Sequence, residues 1–313
     1  MKLSIVTSLY GSEATVDAFH ERMTRAADGV AAQAEFVYVN DGSPDRSLER
    51  VLALRDRDAR IVVVDLARNF GHHPALMTGI EAATGDFIFL IDSDLEEPPE
   101  LLPAFWTALR EDARAGAGAD SVYGVQVRRK GALAERLLGA IWYKLFCRLT
   151  SLPYPADSLT ARLMTRRFAD AVLLHKERAL DLMGIFALTG YRQVAIPATK
   201  TSKGGSSYTL GKRVGIAATG LTSFTTAPLT VIAAIGCFIT AIAAVAGLAL
   251  LLLALAGAVD FSLAGFAIWS IWFLGGLLLA AIGTVGLYGG TILQETKARP
   301  RSIVRTVYRA EDF

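Results

Sequence analysis

Asp86-Phe87-Ile88-Phe89-Leu90-Ile91-Asp92-Ser93-Asp94-Leu95-Glu96-Glu97-Pro98-Pro99-Glu100 is the stretch whose reading decides the fold. The apolar and aromatic run Phe87 to Ile91 has the length of a buried strand, and the Pro-Pro pair suits a helix start. Between them, two aspartates spaced by one leave the strand end, followed by two glutamates. Carboxylates converging on one point repel unless a cation lies between them, and a small set of oxygen ligands favours Mg2+ or Mn2+ completed by substrate phosphates. An Asp-x-Asp arises by chance about once in a chain this long, so its position carries the argument. It stands at the carboxyl end of a strand, where open α/β sheets bind their ligands.

Working outward, the same alternation repeats. Leu3 to Leu9 reads as a strand and Glu13 to Ala27 as a helix with Val16, Phe19 and Met23 on one face. A second strand, Glu35 to Asn40, runs into the turn formers Asp41-Gly42-Ser43-Pro44-Asp45 and a helix from near Arg46. Ile61 to Leu66 is a third strand, leading through Arg68-Asn69-Phe70-Gly71-His72-His73 to a helix over Pro74 to Ala83, and Ser121 to Val125 is a fifth. Strands alternating with helices predict a parallel-rich sheet covered on both faces, with functional residues in the loops after the strands. Leu133 to Leu152 is an amphipathic helix with Arg136, Lys144 and Arg148 on its polar side. Two readings of it stay open: packing on the sheet, or lying at a membrane surface. Tyr154 to Thr165 reads as a loop, Arg166 to His175 as a helix and Arg192 to Ile196 as a strand.

Composition adds a second theme. The chain has 313 residues, is 52% hydrophobic and carries a net charge of +2, with no dense basic run to indicate nucleic acid. Cys147 and Cys237 form neither a disulfide framework nor a metal site and read as packing residues. No charge falls between Arg213 and Asp260, or between Asp260 and Glu295, and each gap exceeds the roughly 20 apolar residues that cross a bilayer. The expected organisation is therefore a catalytic domain at 1–210, an interfacial helix at 211–227, a two-helix transmembrane hairpin at 228–293 and a basic tail at 294–313. Lysines and arginines flank the hairpin on both sides, and no signal peptide precedes the first strand. That predicts a multi-pass inner-membrane protein with its catalytic domain and both termini cytoplasmic.

Several motifs stand in order: Ser4-Ile5-Val6-Thr7-Ser8-Leu9-Tyr10, Val39-Asn40-Asp41-Gly42-Ser43-Pro44-Asp45, Arg68-Asn69-Phe70-Gly71, Ala83-Thr84-Gly85-Asp86 and Asp92-Ser93-Asp94-Leu95. This series resembles the family 2 glycosyltransferases of GT-A fold, and most of all the polyprenyl-phosphate glycosyltransferases. The resemblance extends through Arg162-Leu163-Met164, Gly204 to Tyr208, and Ser223-Phe224 with Pro228-Leu229. It implies that Tyr10, Glu13, Asp41, Asn69 and Gly71, with Asp92, hold a nucleotide sugar. Asp92 and Asp94 would meet the diphosphate through Mg2+ or Mn2+, and Glu96 would be a third ligand where relatives have glutamine. Arg128, Arg129 and Arg162 are candidates to grip an acceptor phosphate, since guanidinium forks suit phosphate oxygens. Asp157 is a candidate to orient the acceptor, although relatives place an aspartate where this chain has Thr160 or Ala161.

The expected reaction is inverting transfer of one sugar, UDP-linked by analogy, to undecaprenyl or another polyprenyl phosphate at the cytoplasmic membrane face. A lipid monophosphate with a second pKa of about 6 needs no strong base. Two other readings are a polysaccharide synthase-like glycosyltransferase, which lacks a Gln-x-x-Arg-Trp signature here, and a non-catalytic scaffold that binds a nucleotide sugar. Glycines through the expected spans, Gly286 and Gly290 among them, predict a homo-oligomer, a tetramer by resemblance.

Overall fold

The computed structural model describes residues 1–126, 158–177, 181–199 and 263–309, with the single residues 245, 252 and 256. The chain divides into two compact units, one of Met1–Cys147, Leu152–Ser207 and Arg299–Phe313, the other of Arg148–Ser151 and Tyr208–Ala298.

In the first unit the apolar runs become strands β1 (Lys2–Leu9), β2 (Gln33–Asn40), β3 (Ile61–Leu66), β4 (Phe87–Leu90) and β5 (Ser121–Gln126). Helices α1 (Val16–Asp28), α2 (Ser47–Arg55), α3 (His72–Ala82) and α4 (Leu101–Arg114) alternate with them. Further along come β6 (Ser158–Thr165), α5 (Arg166–Leu173), α6 (Leu182–Leu188), β7 (Gln193–Ala198) and β8 (Val304–Tyr308). The eight strands form one sheet in the order β7-β5-β6-β4-β1-β2-β3-β8. Strand β1 pairs in parallel with both β2 and β4, so the chain order reverses at the β1/β4 junction. At such a switch point the loops leaving the carboxyl ends diverge and leave a crevice.

Burial on both faces explains why these strands read as near-continuous apolar runs. Leu3, Ile5, Phe36, Tyr38 and Phe89 face one core with Phe19, Met23 and Phe105, while Val6, Val37, Val39, Ile88 and Leu90 face another with Leu76, Ile80, Phe168 and Phe186. Helix α3 approaches the sheet at Gly79, where an added Cβ would collide with Val6 and Val39. Gly42 has φ +59, and its Cβ would meet the backbone of Arg68 and Asn69 at 2.5–2.6 Å, so glycine lets the loops after β2 and β3 touch.

Three expectations change here. The expected loop Tyr154 to Thr165 contains a strand from Ser158, antiparallel to both β4 and β5, and the arginine in its middle hid the pattern. The expected basic tail, 294–313, contributes the edge strand β8. The transmembrane hairpin and the multi-pass inner-membrane location are corrected: among the described residues no helix is long and apolar enough to cross a membrane. The residues of the expected second span form helix α7 (Leu263–Thr296), and the first lies outside the described residues but for 245, 252 and 256. A long gap between charges is necessary for a span and is not sufficient for one. The amphipathic helix at 133–152, the interfacial helix at 211–227 and the Gly204 to Tyr208 motif also lie outside the described residues.

Candidate functional site

The site is built from the loops that leave β1, β2, β3 and β4 on one edge of the sheet. After β1, Tyr10 is 56% exposed and Gly11 takes φ +67, turning the chain. This loop is stitched to the one after β2: Gly11 N donates to Ser43 Oγ at 2.8 Å, Ser12 N to Ser47 Oγ at 2.9 Å and Glu13 N to Asp45 Oδ2 at 3.0 Å. Glu13 in turn accepts from Arg46 N at 3.3 Å. Asp41 receives the loop after β3, accepting from Phe70 N at 2.7 Å and Gly71 N at 2.9 Å. Burial pushes the Asp41 carboxyl above its ordinary value even against those two amide donors. Asn69 and Gly71 are thus fixed beside Asp41, with Gly71 at φ +104.

The loop after β4 lies across the switch point. Ile91 N donates to Val6 O at 3.2 Å, and Ser93 Oγ donates to Ser8 O at 2.9 Å and lies 3.1 Å from Ser12 Oγ. Asp92 is half-buried: its Oδ1 lies 3.2 Å from His72 Nε2, and its Oδ2 accepts from Thr160 Oγ1 at 2.9 Å. His72 Nδ1 is 2.9 Å from Ser8 Oγ. Partial desolvation pushes the His72 imidazole down, but Asp92, aided by Glu97 and Asp41, more than reverses this and raises it above its ordinary value. Asp94 is exposed, and its Oδ1 accepts from Glu96 N at 2.9 Å. Between them Leu95 takes φ +62, a left-handed conformation that disfavours a branched side chain and concentrates at functional loops.

Glu97 anchors this loop to the sheet. Its buried carboxylate accepts from Thr160 N at 3.0 Å and Ala161 N at 2.7 Å, tying the loop to β6. Glu97, Thr160 and His72 are therefore part of the candidate site, although none of them was among the residues expected to bind or catalyse. A weak signal existed in Glu97, a further acid on the Asp-x-Asp loop just before Pro-Pro.

The structure does not bring every candidate together. Arg162 is fully buried, its guanidinium 4.6 Å from the Tyr123 ring centroid and 4.1 Å from that of Phe186. Nη1 donates to Ser121 Oγ at 3.0 Å and to Gln193 Oε1, and burial lowers its pKa to about 9. This side chain sits in the core rather than on a surface open to a phosphate. Arg128, Arg129 and Asp157 lie outside the described residues.

The donor set for a metal is sparse: among the described residues no group of three or more His, Cys, Asp or Glu side chains is placed to hold one. Two carboxylates one residue apart nonetheless fit Mg2+ or Mn2+, which are commonly held by one or two carboxylates with substrate phosphates completing the shell. The chemistry of Asp92 and Asp94 suits a cation that arrives with a diphosphate, not a standing protein cage.

An α/β sheet with an Asp-x-Asp loop at its switch point is of the class that binds ligands in the crevice beyond its strand ends. Residues 4–173 match glycosyl transferase family 2, and the chain belongs to that family. A Mycobacterium tuberculosis (strain CDC 1551 / Oshkosh) protein grouped by name with the glycosyltransferases is 40% identical over 99% of this chain and 90% of its own. The bactoprenol glucosyl transferase of Shigella phage SfX is 31% identical over 98% of this chain and 99% of its own. Among solved structures, M. tuberculosis glucosyl-3-phosphoglycerate synthase in complex with Mn2+ and UDP-glucose is a remote likeness. Its TM-score is 0.46 at 19% identity, covering 71% of this chain and 79% of that one. The chain is an enzyme of glycosyl transfer that takes a nucleotide-sugar donor.

Proposed function

We propose that the donor sits over the β1/β4 junction, with the Tyr10 to Glu13 loop and Asp41 beside its nucleoside and Asp92 and Asp94 facing its diphosphate. The observation that carries this reading is the anchored, strained loop Asp92 to Glu97, held by His72, Thr160 and the amides of β6. A departing nucleoside diphosphate gathers negative charge, and Mg2+ or Mn2+, when bound, neutralises charge where it develops. In this chain His72 and Thr160 orient Asp92, Glu97 fixes the backbone on which both aspartates ride, and Asp94 is left exposed. Glu96 stays a proposed third ligand, and Arg128, Arg129 and Asp157 stay proposed contacts to the acceptor.

The expected reaction, transfer to a polyprenyl phosphate by a membrane-anchored enzyme, is corrected because its anchor is not found among the described residues. The reading put in its place is sugar transfer of the polysaccharide-synthase kind, from a nucleotide sugar to a glycan hydroxyl. Similarity to bactoprenol glucosyl transferases supports kinship with the polyprenyl-phosphate branch of the family, as a statement of descent. Assembly as a homo-oligomer, a tetramer by resemblance, stays a proposal from the small residues of α7, Gly286 and Gly290 among them. The test is an assay of the purified full chain with Mg2+ or Mn2+ and UDP-, GDP- and dTDP-sugars. Oligosaccharide and polyprenyl phosphate acceptors form separate arms, read by mass spectrometry. A glycan product supports the reading. A lipid-linked sugar alone would replace the acceptor, and no transfer from any donor would remove the donor assignment.

A further inference from the structure

The strand that closes the sheet comes from the far end of the chain. β8 runs antiparallel to β3, pairing Val63 with Tyr308 and Leu66 with Val304, with a register shift between Asp65 and Leu66. At that irregularity Arg305 turns onto the partner strand. Its Nη1 donates to Asp65 Oδ2 at 3.1 Å and its Nη2 to Ala67 O at 2.8 Å, while Ala67 N donates to Ile303 O at 2.9 Å. Thr78 Oγ1 and Ser302 Oγ, 2.6 Å apart, tie the same tail to α3.

The partner of Arg305 is what gives these contacts reach. Asp65 is only 1% exposed, and its other oxygen accepts from Asn40 Nδ2 at 2.7 Å. Asn40 precedes Asp41, whose carboxylate holds the amides of Phe70 and Gly71. Ala67 begins the loop that ends at those two amides. A surface ion pair contributes little, whereas removing the cation beside a buried carboxylate leaves an uncompensated charge that its surroundings must move to answer. The carboxyl ends of β2 and β3, both flanking the donor crevice, are therefore set in part by a residue about 240 positions away.

We propose that Arg305 is a positioning residue for nucleotide-sugar binding: through Asp65 and Ala67 the C-terminal strand fixes the Asp41 and Phe70–Gly71 edge of the donor crevice. This rests on the donor reading above. It assigns β8 a task that a basic tail would not have, and it makes the last described strand a determinant of donor affinity.

The experiment uses the full chain and the variants Arg305→Met and Arg305→Lys. Hydrogen exchange over residues 67–71 is measured without ligand, and isothermal titration with UDP, GDP and dTDP in Mn2+ gives affinity. Arg305→Met is expected to speed exchange at Phe70 and Gly71 and to weaken the preferred nucleotide about tenfold, the size of one charge-assisted hydrogen bond. KM for the donor should rise with kcat within about twofold, as for lost uniform binding. Arg305→Lys should restore most of the affinity, which a loss of bulk packing would not predict. Unchanged exchange and unchanged affinity in Arg305→Met overturn the proposal. If Arg305→Met does not fold, Ser302→Ala loosens the same tail and should weaken nucleotide two- to threefold, again about the size of one hydrogen bond. Wild-type affinity there overturns the proposal as well. Wild-type protein that binds none of these nucleotides defeats the donor reading instead, while the exchange comparison still tests whether β8 holds the loop.

Discussion

The loops after β2 and β4 leave the same edge of the sheet, and both are acidic, yet their carboxylates are held in different ways. Asp45 is saturated by its neighbours: Ser43 Oγ at 2.6 Å, Ser47 Oγ at 2.5 Å, and the amides of Ser47 at 3.1 Å and Glu13 at 3.0 Å. Burial pushes its carboxyl up, and these donors outweigh that and pull it down to about 2. Asp41 likewise accepts two backbone amides. Asp92 instead meets side chains from elsewhere in the fold, and Asp94 accepts one amide of its own strained turn. Carboxylates enclosed by amides, Asp41 and Asp45 after β2 and Glu97 after β4, hold their loops, whereas Asp92 is held by side chains and Asp94 lies exposed on its turn.

The largest effect that would break this contrast is expected at Asp94. Asp94→Asn keeps the shape but weakens the cation site, and several kcal/mol of barrier should be lost, about 10²- to 10³-fold in kcat. Steady-state kinetics beside a thermal melt checks this, and near-normal turnover would place Asp94 among the organising acids. Glu97→Gln comes next. It leaves one of two β6 amides without its acceptor, at a cost of about 2 kcal/mol in urea denaturation. A cost near zero would mean that β6 does not depend on that anchor.

Asp45 sharpens the comparison through pH. Its folded pKa lies below its unfolded value, so its stabilising contribution is present above the unfolded pKa of 3.8 and lost as pH falls through about 2. Asp45→Asn should flatten the stability profile between those values and, given its partial exposure, cost about 1 kcal/mol at neutral pH. An unaltered acid limb would deny Asp45 its organising role. The smallest effect is expected at Leu95→Gly, where relief of the left-handed backbone and the entropy cost of glycine nearly offset each other, within about 1 kcal/mol. Turnover should fall more than stability, because the turn that sets Asp94 is no longer held.

Legibility in the sequence followed the range of the interactions. Strands β1 to β5 were readable because residues buried on both faces make local apolar runs, and the Asp-x-Asp stood out at the end of one. Strand β6 was not, because Arg162 broke its pattern, and tertiary partners accommodate that charge, the rings of Tyr123 and Phe186 and the oxygens of Ser121 and Gln193. Helix α6, Leu-Met-Gly-Ile-Phe-Ala-Leu, is apolar all round and carries no period to read. The hairpin was over-read from gaps in charge, and β8 lay within the basic stretch whose arginines were read as the cytoplasmic flank of that hairpin. In the site, Asp92 was visible alone, but its partners His72 and Thr160 lie 20 and 68 residues away, and no local pattern announces such pairings.

Calorimetric titration of UDP and GDP into wild-type and Asp94→Asn protein, each with and without Mn2+, tests the central claim most directly. The account predicts that wild-type protein binds its preferred nucleotide more tightly when the cation is present, and that Asp94→Asn loses this cation-dependent gain while keeping the weaker cation-free binding. Equal affinities in wild type and variant, unmoved by Mn2+, would contradict the assignment of the β4 loop to the diphosphate.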